Sequence, residues 1–297
     1  MLRVTEYIDA ALDTNLDLNV LASIAHFSAF HFHRLFSAYM GEALGAYIRR
    51  RRLEIAATRL LAQPRVPVTQ IALGVGFGST EAFAHAFKAR FGLAPTGWRA
   101  QQRAHRPANS KPDQVERKRN QAQPSAGNHN DAVSRSPMES GMKIEIVERK
   151  PTPIVFLRRV GAYGPPLSAF WQTEVYSWMA QSGLLQQPRY GVSHDDPNVV
   201  SPQKCRYDAG VEMPENFKNF GKALRSTIAG GSYAALSFEG TLEQIEPAWT
   251  SLLRDWLPAS GFQLDARPMF EYYPQGTSYD PATGVFDCRL CVPVIPL

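Results

Sequence analysis

The sequence predicts two domains of different fold class: an all-α domain with two helix-turn-helix units, then an α+β domain with an antiparallel sheet built from a duplicated β-α-β-β unit. Three observations predict this. A capped helical segment recurs at an offset of 51 residues, residues 107–141 are polar and rich in proline, and a second repeat, at an offset of 78 residues, lies in the C-terminal half. A chain of 297 residues is long enough for two domains, each with its own core.

The first repeat consists of Ser28–Gly41 and Ser79–Gly92. Serine is a favoured N-cap because its hydroxyl accepts a free backbone N–H, and glycine ends a helix because it adopts positive φ. Helical spacing predicts that the first copy buries an apolar stripe made of Phe32, Leu35, Phe36 and Tyr39. Phe83 and Phe87 repeat the two phenylalanines of that stripe in the second copy.

Each capped helix follows a shorter helix, so that the pair forms a helix-turn-helix, and a long helix joins the two units. Prolines 64 and 67 end the long helix. The helices predicted in this half are Val4–Asp13, Leu18–His26, Ser28–Gly41, Ala43–Gln63, Val68–Val75, Ser79–Phe91 and a closing helix from Pro95.

The long helix contains four consecutive arginines, Arg49–Arg52. They either wrap a solvated helix face and pair with nearby acids, or one or two of them contact phosphate, which positions a protein on DNA without reading its sequence. Residues 1–106 hold 13 basic and 7 acidic residues, whereas residues 142–297 hold 14 and 16. The basic excess therefore coincides with the duplicated helices, as expected for the half that binds phosphate.

The outward positions of the capped helices suit the DNA major groove. Phe30, His33 and Arg34 point away from the apolar stripe and offer a ring, an imidazole and a forked cation. The equivalent positions of the second copy carry Glu81, Ala84 and His85, so we expect two readers of different base sequence.

This half resembles the AraC-type DNA-binding domain over about residues 3–103. The resemblance is carried by Ala72–Arg99, A-x-x-V-G-F-G-S-T-E-A-F-A-H-A-F-K-A-R-F-G-L-A-P-T-G-W-R. It implies a sequence-specific transcription regulator, an activator, with double-stranded DNA and RNA polymerase as partners. By position it implies base or groove contacts from Phe30, His33, Arg34, Thr80, Glu81, Ala84 and His85. Glu81 is either a reader of cytosine or a partner of the helix dipole.

Residues 107–141 are expected to be a flexible linker, because apolar residues are sparse there. The chain has no apolar run of about 18 residues and no signal-peptide pattern, which predicts no membrane span and a cytoplasmic protein. The three cysteines are Cys205, Cys288 and Cys291, and the last two, spaced C-x-x-C in a strand-like run, are interpreted as buried structural thiols. Neither a metal site nor a cofactor is predicted.

The second repeat pairs Phe170–Gly183 with Ala248–Gly261. Two tryptophans seven residues apart on a helix are typical of a core, but a groove between the two halves would be lined by aromatic rings. Two β-α-β-β units are expected to form a pseudo-twofold sheet with helices packed on it. The predicted strands are Lys143–Val147, Ile154–Val160, Tyr190–His194, Arg206–Met213, Tyr233–Glu239, Pro268–Tyr273 and Val285–Val292.

Glu271 is the distinguishing charge of this half, because it shares a strand face with Met269 and Tyr273. If that face is interior, a carboxylate lies among rings and would attract a lipophilic cation. The alternative is an exposed glutamate on an edge strand.

Residues 142–297 resemble the GyrI-like effector-binding domain in V-G-A-Y-G (Val160–Gly164), R-Y-D-A-G-V-E-M (Arg206–Met213) and P-M-F-E-Y-Y (Pro268–Tyr273). The resemblance implies a pocket for amphipathic, cationic aromatic effectors, with Glu271 as the acidic anchor. The walls it implies are Tyr163, Trp171, Tyr207, Trp249 and Tyr273. Two alternatives stay open: a glutamate-dependent hydrolase of small electrophilic compounds, and a module that docks a protein. No catalytic triad, metal set or phosphate loop is evident in this half.

Overall fold

A computed structural model describes residues 1–104, 142–197, 199–218, 221–277, 279–280 and 282–297, without the side chains of residues 102–104. The predicted linker, 107–141, lies outside the described residues. Seven helices make up the described part before it: α1 (Leu2–Ala10), α2 (Leu18–Ile24), α3 (Ala29–Met40), α4 (Leu44–Ala62), α5 (Val68–Gly74), α6 (Thr80–Phe91) and α7 (Pro95–Ala104).

Both capped helices of the repeat are present. The Ser28 hydroxyl accepts the N–H of His31 at the start of α3, and the Ser79 hydroxyl accepts that of Ala82 at the start of α6. Gly41 and Gly92 end these helices with φ of 71° and 78°, in the left-handed region that glycine adopts without a steric penalty. The duplicated start and stop signals are therefore confirmed.

The predicted apolar stripe of α3 is half wrong. Phe32 and Phe36 are fully buried, but Leu35 is 42% and Tyr39 73% exposed. The Phe36 ring lies 5.3 Å edge-on from that of Tyr47 of α4. Helix α3 packs against α2 and α4, which cover only a narrow stripe of it, and positions 35 and 39 fall beside that stripe.

The long helix α4 joins the two helix-turn-helix units by packing with both. Leu44 and Tyr47 belong to the core of the first unit, together with Phe32 and Phe36. The core of the second unit combines α4 residues with Phe83 and Phe87; the α4 residues are Leu53, Ala56, Ala57 and Leu60. Each unit therefore rests on a different part of the same helix.

The arginine run is not a uniformly solvated face. Arg50 donates to Glu42 at 2.6 Å and to Glu54 at 3.0 Å, and Arg52 donates to the carbonyl of Leu12. Arg51 is 3% exposed. The expected pairing with nearby acids is confirmed for Arg50 and Arg51. Burial of Arg51 corrects the expectation of a solvated face at this position, because Arg51 faces the second domain rather than water.

The second domain contains one nine-stranded sheet. Its strands are β1 (Ile144–Arg149), β2 (Thr152–Val160), β3 (Arg189–Ser193), β4 (Arg206–Glu212), β5 (Leu224–Ile228), β6 (Gly231–Gly240), β7 (Phe262–Leu264), β8 (Met269–Tyr273) and β9 (Phe286–Pro296). The order is β1-β6-β9-β8-β3-β4-β2-β5, with β7 paired to β9, and every pairing is antiparallel. This agrees with the predicted α+β class.

The strand order has the symmetry expected from the repeat. At the offset of 78 residues, β2, β3 and β4 correspond to β6, β8 and β9. Equivalent strands therefore follow in the same order from either edge of the sheet toward its centre. Across the central pair, Ser193 opposes Met269 and Gly191 opposes Glu271, so the pseudo-twofold axis passes near Val192 and Phe270.

The repeat is larger than predicted, because strand β5 was missed. Its sequence, L-R-S-T-I, is short and mostly polar, and it becomes a strand by pairing with β2 at the sheet edge. Strand β1 likewise pairs with β6. Each half thus lends its first strand to the other half.

Two interrupted helices pack on one face of the sheet. The first runs through α8 (Pro165–Phe170), a π-turn (Trp171–Val175) and α9 (Tyr176–Ser182). The second runs through α10 (Leu242–Ser251), a π-turn (Leu252–Trp256) and a 3₁₀ turn (Leu257–Ala259). On the opposite face, Leu2 of α1 packs against the aromatic cluster of Tyr190 and Phe270. Among the described helices, none combines the length and the apolar character that crossing a bilayer demands.

Candidate effector pocket and DNA interface

A cavity of about 910 Å³ lies between the sheet and the two interrupted helices. This volume is within the range of small-molecule sites. All six side chains that the sequence analysis assigned to effector binding lie on its wall: Glu271, Tyr163, Trp171, Tyr207, Trp249 and Tyr273. The fold therefore brings them together, and their contact with an effector remains a prediction.

Glu271 projects into this cavity from β8, which lies between β3 and β9 and is not an edge strand. The hydroxyls of Tyr207 and Tyr273 each donate to its Oε2 at 3.0 Å. Met269 and Tyr273 line the same cavity, as the alternation of the strand predicts. The interpretation of Glu271 as an exposed edge residue is therefore wrong.

Burial raises the pKa of Glu271 above its ordinary value, although hydrogen bonds from Tyr273, Tyr207 and Trp249 lower it in part. Within the described part of the chain, none of the groups that shift this pKa is positively charged. A buried carboxylate held by neutral donors alone retains its attraction for a cation.

Aromatic side chains contact Tyr207 on two sides. The Trp171 indole donates to the Tyr207 hydroxyl at 3.1 Å, which leaves that hydroxyl free to donate to Glu271. The Tyr163 ring meets the Tyr207 ring edge-on, with centroids 6.0 Å apart. These faces can stabilise a cation through their π electrons.

Sequence reasoning missed Gly191, which faces Glu271 across the β3–β8 pair. A Cβ at this position would collide with the Tyr207 hydroxyl and the Glu271 carboxylate. Glycine therefore leaves the space in which Tyr207 and Glu271 meet. No local signal identifies this role, because it depends on strand register.

Sequence reasoning also missed a wall from the first domain. Thr58, Leu61 and Ala62 of α4 line the same cavity. Ala62 belongs to the core cluster that contains Leu252 and Leu257 of the second interrupted helix. The long separation in sequence hides this contact from any local pattern.

On the first capped helix, the three predicted DNA contacts are solvent-exposed. Phe30 is 69% exposed, and His33 and Arg34 are exposed beside it. The Arg34 guanidinium lies over the Phe30 ring, 5.8 Å from its centroid. Opposite the buried Phe32, these groups are available to a duplex.

On the second capped helix, Glu81 and His85 are exposed, whereas Thr80 and Ala84 are half-buried. Glu81 lies in the first turn of α6, where a carboxylate stabilises the helix dipole. Base contacts from either helix remain a prediction.

The three cysteines lie inside the second domain. Cys205, Cys288 and Cys291 are buried and free of disulfides, and for Cys288 and Cys291 this agrees with the interpretation from their strand-like context. Burial raises the pKa of Cys205 and Cys291 to about 12. In the ranges that the structure describes, no three His, Cys, Asp or Glu side chains form a cluster that could hold a metal.

Two known families match the two halves. The GyrI-like small molecule binding domain matches residues 142–295, and a helix-turn-helix domain matches residues 21–101. The SPbeta prophage-derived protein YosT of Bacillus subtilis is 26% identical over 157 residues, which cover 52% of this chain and 99% of YosT.

Two further relatives each match one half. A DNA gyrase inhibitor of Edwardsiella ictaluri is 30% identical over 137 residues, which cover 44% of this chain and 86% of the inhibitor. The regulatory protein SoxS of Salmonella typhimurium is 34% identical over 94 residues, which cover 32% of this chain and 87% of SoxS.

Proposed function

The chain belongs to the GyrI-like small molecule binding family, joined here to an AraC-type helix-turn-helix domain, and from this premise we propose a transcription activator whose effector is a lipophilic aromatic cation. In this proposal α3 and α6 read double-stranded DNA and Glu271 anchors the effector. RNA polymerase is the partner of this protein at the promoter, and the protein acts in the cytoplasm.

The observation that supports a cationic effector is the environment of the Glu271 carboxylate. Its Oε2 accepts two tyrosine hydroxyls inside a cavity walled by Trp171 and Trp249. A cation that enters this cavity interacts with both the carboxylate charge and the faces of the aromatic rings, and these interactions take place away from bulk water.

Two dyes of the same skeleton test this proposal. Crystal violet is a triaryl cation, and its leuco form is uncharged. Titration of the full chain, followed by quenching of tryptophan fluorescence, should show saturable binding of crystal violet and much weaker binding of the leuco dye. Equal affinity for both dyes would contradict an anionic anchor.

Binding of crystal violet is expected to weaken as the pH falls. Only the ionised form of Glu271 attracts the dye, and burial raises the pKa of this carboxyl, so protonation begins at a higher pH than for an exposed glutamate. The dissociation constant measured from pH 8 to pH 5 should therefore increase toward the acidic end. Glu271→Gln is the control, and a wild-type curve as flat as that of this variant would refute the assignment.

Arg34→Ala is expected to lower the affinity for a selected operator by ~1–3 kcal/mol, because a forked cation that reads guanine discriminates bases by about this amount. The affinity for scrambled DNA should fall less. Operators selected from a random pool, with and without crystal violet, provide the substrates for gel-shift measurements.

The matched control is Arg65→Ala, which removes an exposed arginine between α4 and α5. It should change the two affinities equally or leave both unchanged. An equal loss on operator and scrambled DNA for Arg34→Ala would assign this side chain to phosphate positioning instead of base reading.

A glutamate-dependent hydrolase is the second candidate, because the raised pKa of Glu271 is what a general base requires. Incubation of the full chain with small electrophilic compounds distinguishes the two functions. Product formation that Glu271→Gln abolishes would support hydrolysis, whereas saturable binding without product would support the sensor.

A further inference from the structure

The C-terminal end of α4 is fixed to the second domain beside the cavity. Leu61 and Ala62 line the cavity, and Ala62 is buried in the second domain's core cluster. The Gln63 side-chain amide, at the C-cap of α4, donates to the carbonyl of Leu264 at 3.0 Å. The first domain thus supplies part of the cavity wall through well-packed contacts.

A buried ion-pair network fixes the middle of α4 to the same domain. Arg51 Nη1 lies 2.5 Å from Asp195 Oδ1, and its Nε donates to Asp9 at 2.8 Å. Arg206 pairs with both carboxylates, each at 2.9 Å. Glu54 also pairs with Arg51, at 2.9 Å, so residues of the first domain (Asp9, Arg51 and Glu54) and of the second share one network.

This network also touches the cavity. Asp195 lines it, and the Tyr163 hydroxyl lies 3.1 Å from the Asp195 carbonyl oxygen. Both attachments of α4 thus adjoin the proposed effector site. Both helix-turn-helix units pack on α4, so a change in how α4 docks on the second domain would affect both α3 and α6.

Building on the proposed function, we infer that the effector site is shared between the two domains. Helix α4 closes the cavity, Leu61 limits the size of the effector, and a bound effector contacts both domains at once. Binding and domain docking are therefore coupled, because a ligand that touches both domains favours their docked arrangement. The coupling is reciprocal: the dye must change operator affinity by the same factor by which operator changes dye affinity.

Two substitutions at Leu61 in the full chain test this inference with dyes of two sizes. Crystal violet is the smaller probe, and Victoria blue, which carries a naphthyl ring, is the larger. Leu61→Trp fills part of the cavity. It should weaken the binding of Victoria blue by roughly tenfold or more, and the binding of crystal violet by less. Leu61→Ala enlarges the cavity and should shift the affinity ratio toward Victoria blue.

The control is Leu73→Trp, which adds the same ring at a leucine of α5 that is 56% exposed. It should leave both dye affinities unchanged. Operator binding measured without dye reports whether each variant is folded. A general loss of fold cannot shift the ratio of the two dye affinities in opposite directions in Leu61→Trp and Leu61→Ala.

The outcomes separate the inference from the proposed function. If the affinity ratio stays constant in both Leu61 variants while Glu271→Gln still weakens dye binding, the shared site is refuted and the effector anchor stands. If neither Leu61 nor Glu271 substitutions change dye binding, the proposed effector site itself is wrong.

Discussion

Replacing Glu271 with glutamine is expected to weaken crystal violet binding by ~2–5 kcal/mol, the cost of removing one partner from a desolvated charge pair. The amide keeps the size of the side chain and still accepts hydrogen bonds from Tyr207 and Tyr273, so the change acts mainly on charge. Fluorescence titration of the full chain at pH 8 measures the effect. The leuco dye, which has no charge, should bind the variant as well as it binds the wild type.

Glu246→Gln is the matched control, because Glu246 lines the same cavity but is exposed to solvent. Its removal should change the affinity by much less, since water screens an exposed charge. If both substitutions had the same effect, the cavity would select cations by its overall potential, and Glu271 would lose its assignment as the anchor.

Arg51→Ala is expected to lower the free energy of unfolding by ~3–5 kcal/mol, because it removes one partner from a buried ion-pair network. Burial raises the pKa of Asp9, but Arg51 and Arg206 outweigh that effect and lower it to about 2. Without Arg51, Asp9 and Asp195 share Arg206 as their remaining cation in the network of described residues. Urea unfolding followed by circular dichroism measures the loss.

The neighbouring arginine provides the control. Arg49 is exposed, so Arg49→Ala should change the unfolding free energy by no more than ~0.5 kcal/mol. Asp9 has a depressed pKa, so its contribution to stability is complete above pH 4 and is lost as the pH falls toward 2. If the two alanine variants had the same unfolding free energy near neutral pH, the prediction would be wrong, and the network would contribute no net stability.

Local signals were sufficient for much of the fold. Ser28 and Gly41 act within one helix, and their copies Ser79 and Gly92 act in the same way, so capping could be predicted without knowing any neighbour. The 78-residue repeat likewise predicted a symmetric sheet, because equivalent sequences fold into equivalent strands. Strand alternation placed Glu271 on the face of Met269 and Tyr273 before the cavity was known.

The sequence failed where burial depends on what packs against a residue. Leu35 and Tyr39 have helical spacing with Phe32, yet both stay exposed because too few elements cover α3. Strand β5 carries too few apolar residues to be identified alone, and its pairing with β2 defines it.

By itself, the sequence determined the two fold classes and the duplicated units, because capping, periodicity and repetition can be identified from the order of residues along the chain. The tertiary structure decided that Arg51 is buried, that Gly191 leaves room for Tyr207 and Glu271, and that Leu61 lines the cavity. Each of these depends on segments that are distant along the chain and become neighbours in the folded protein. The neighbours of Gly191 lie within the second domain, whereas Arg51 and Leu61 meet residues of the other domain.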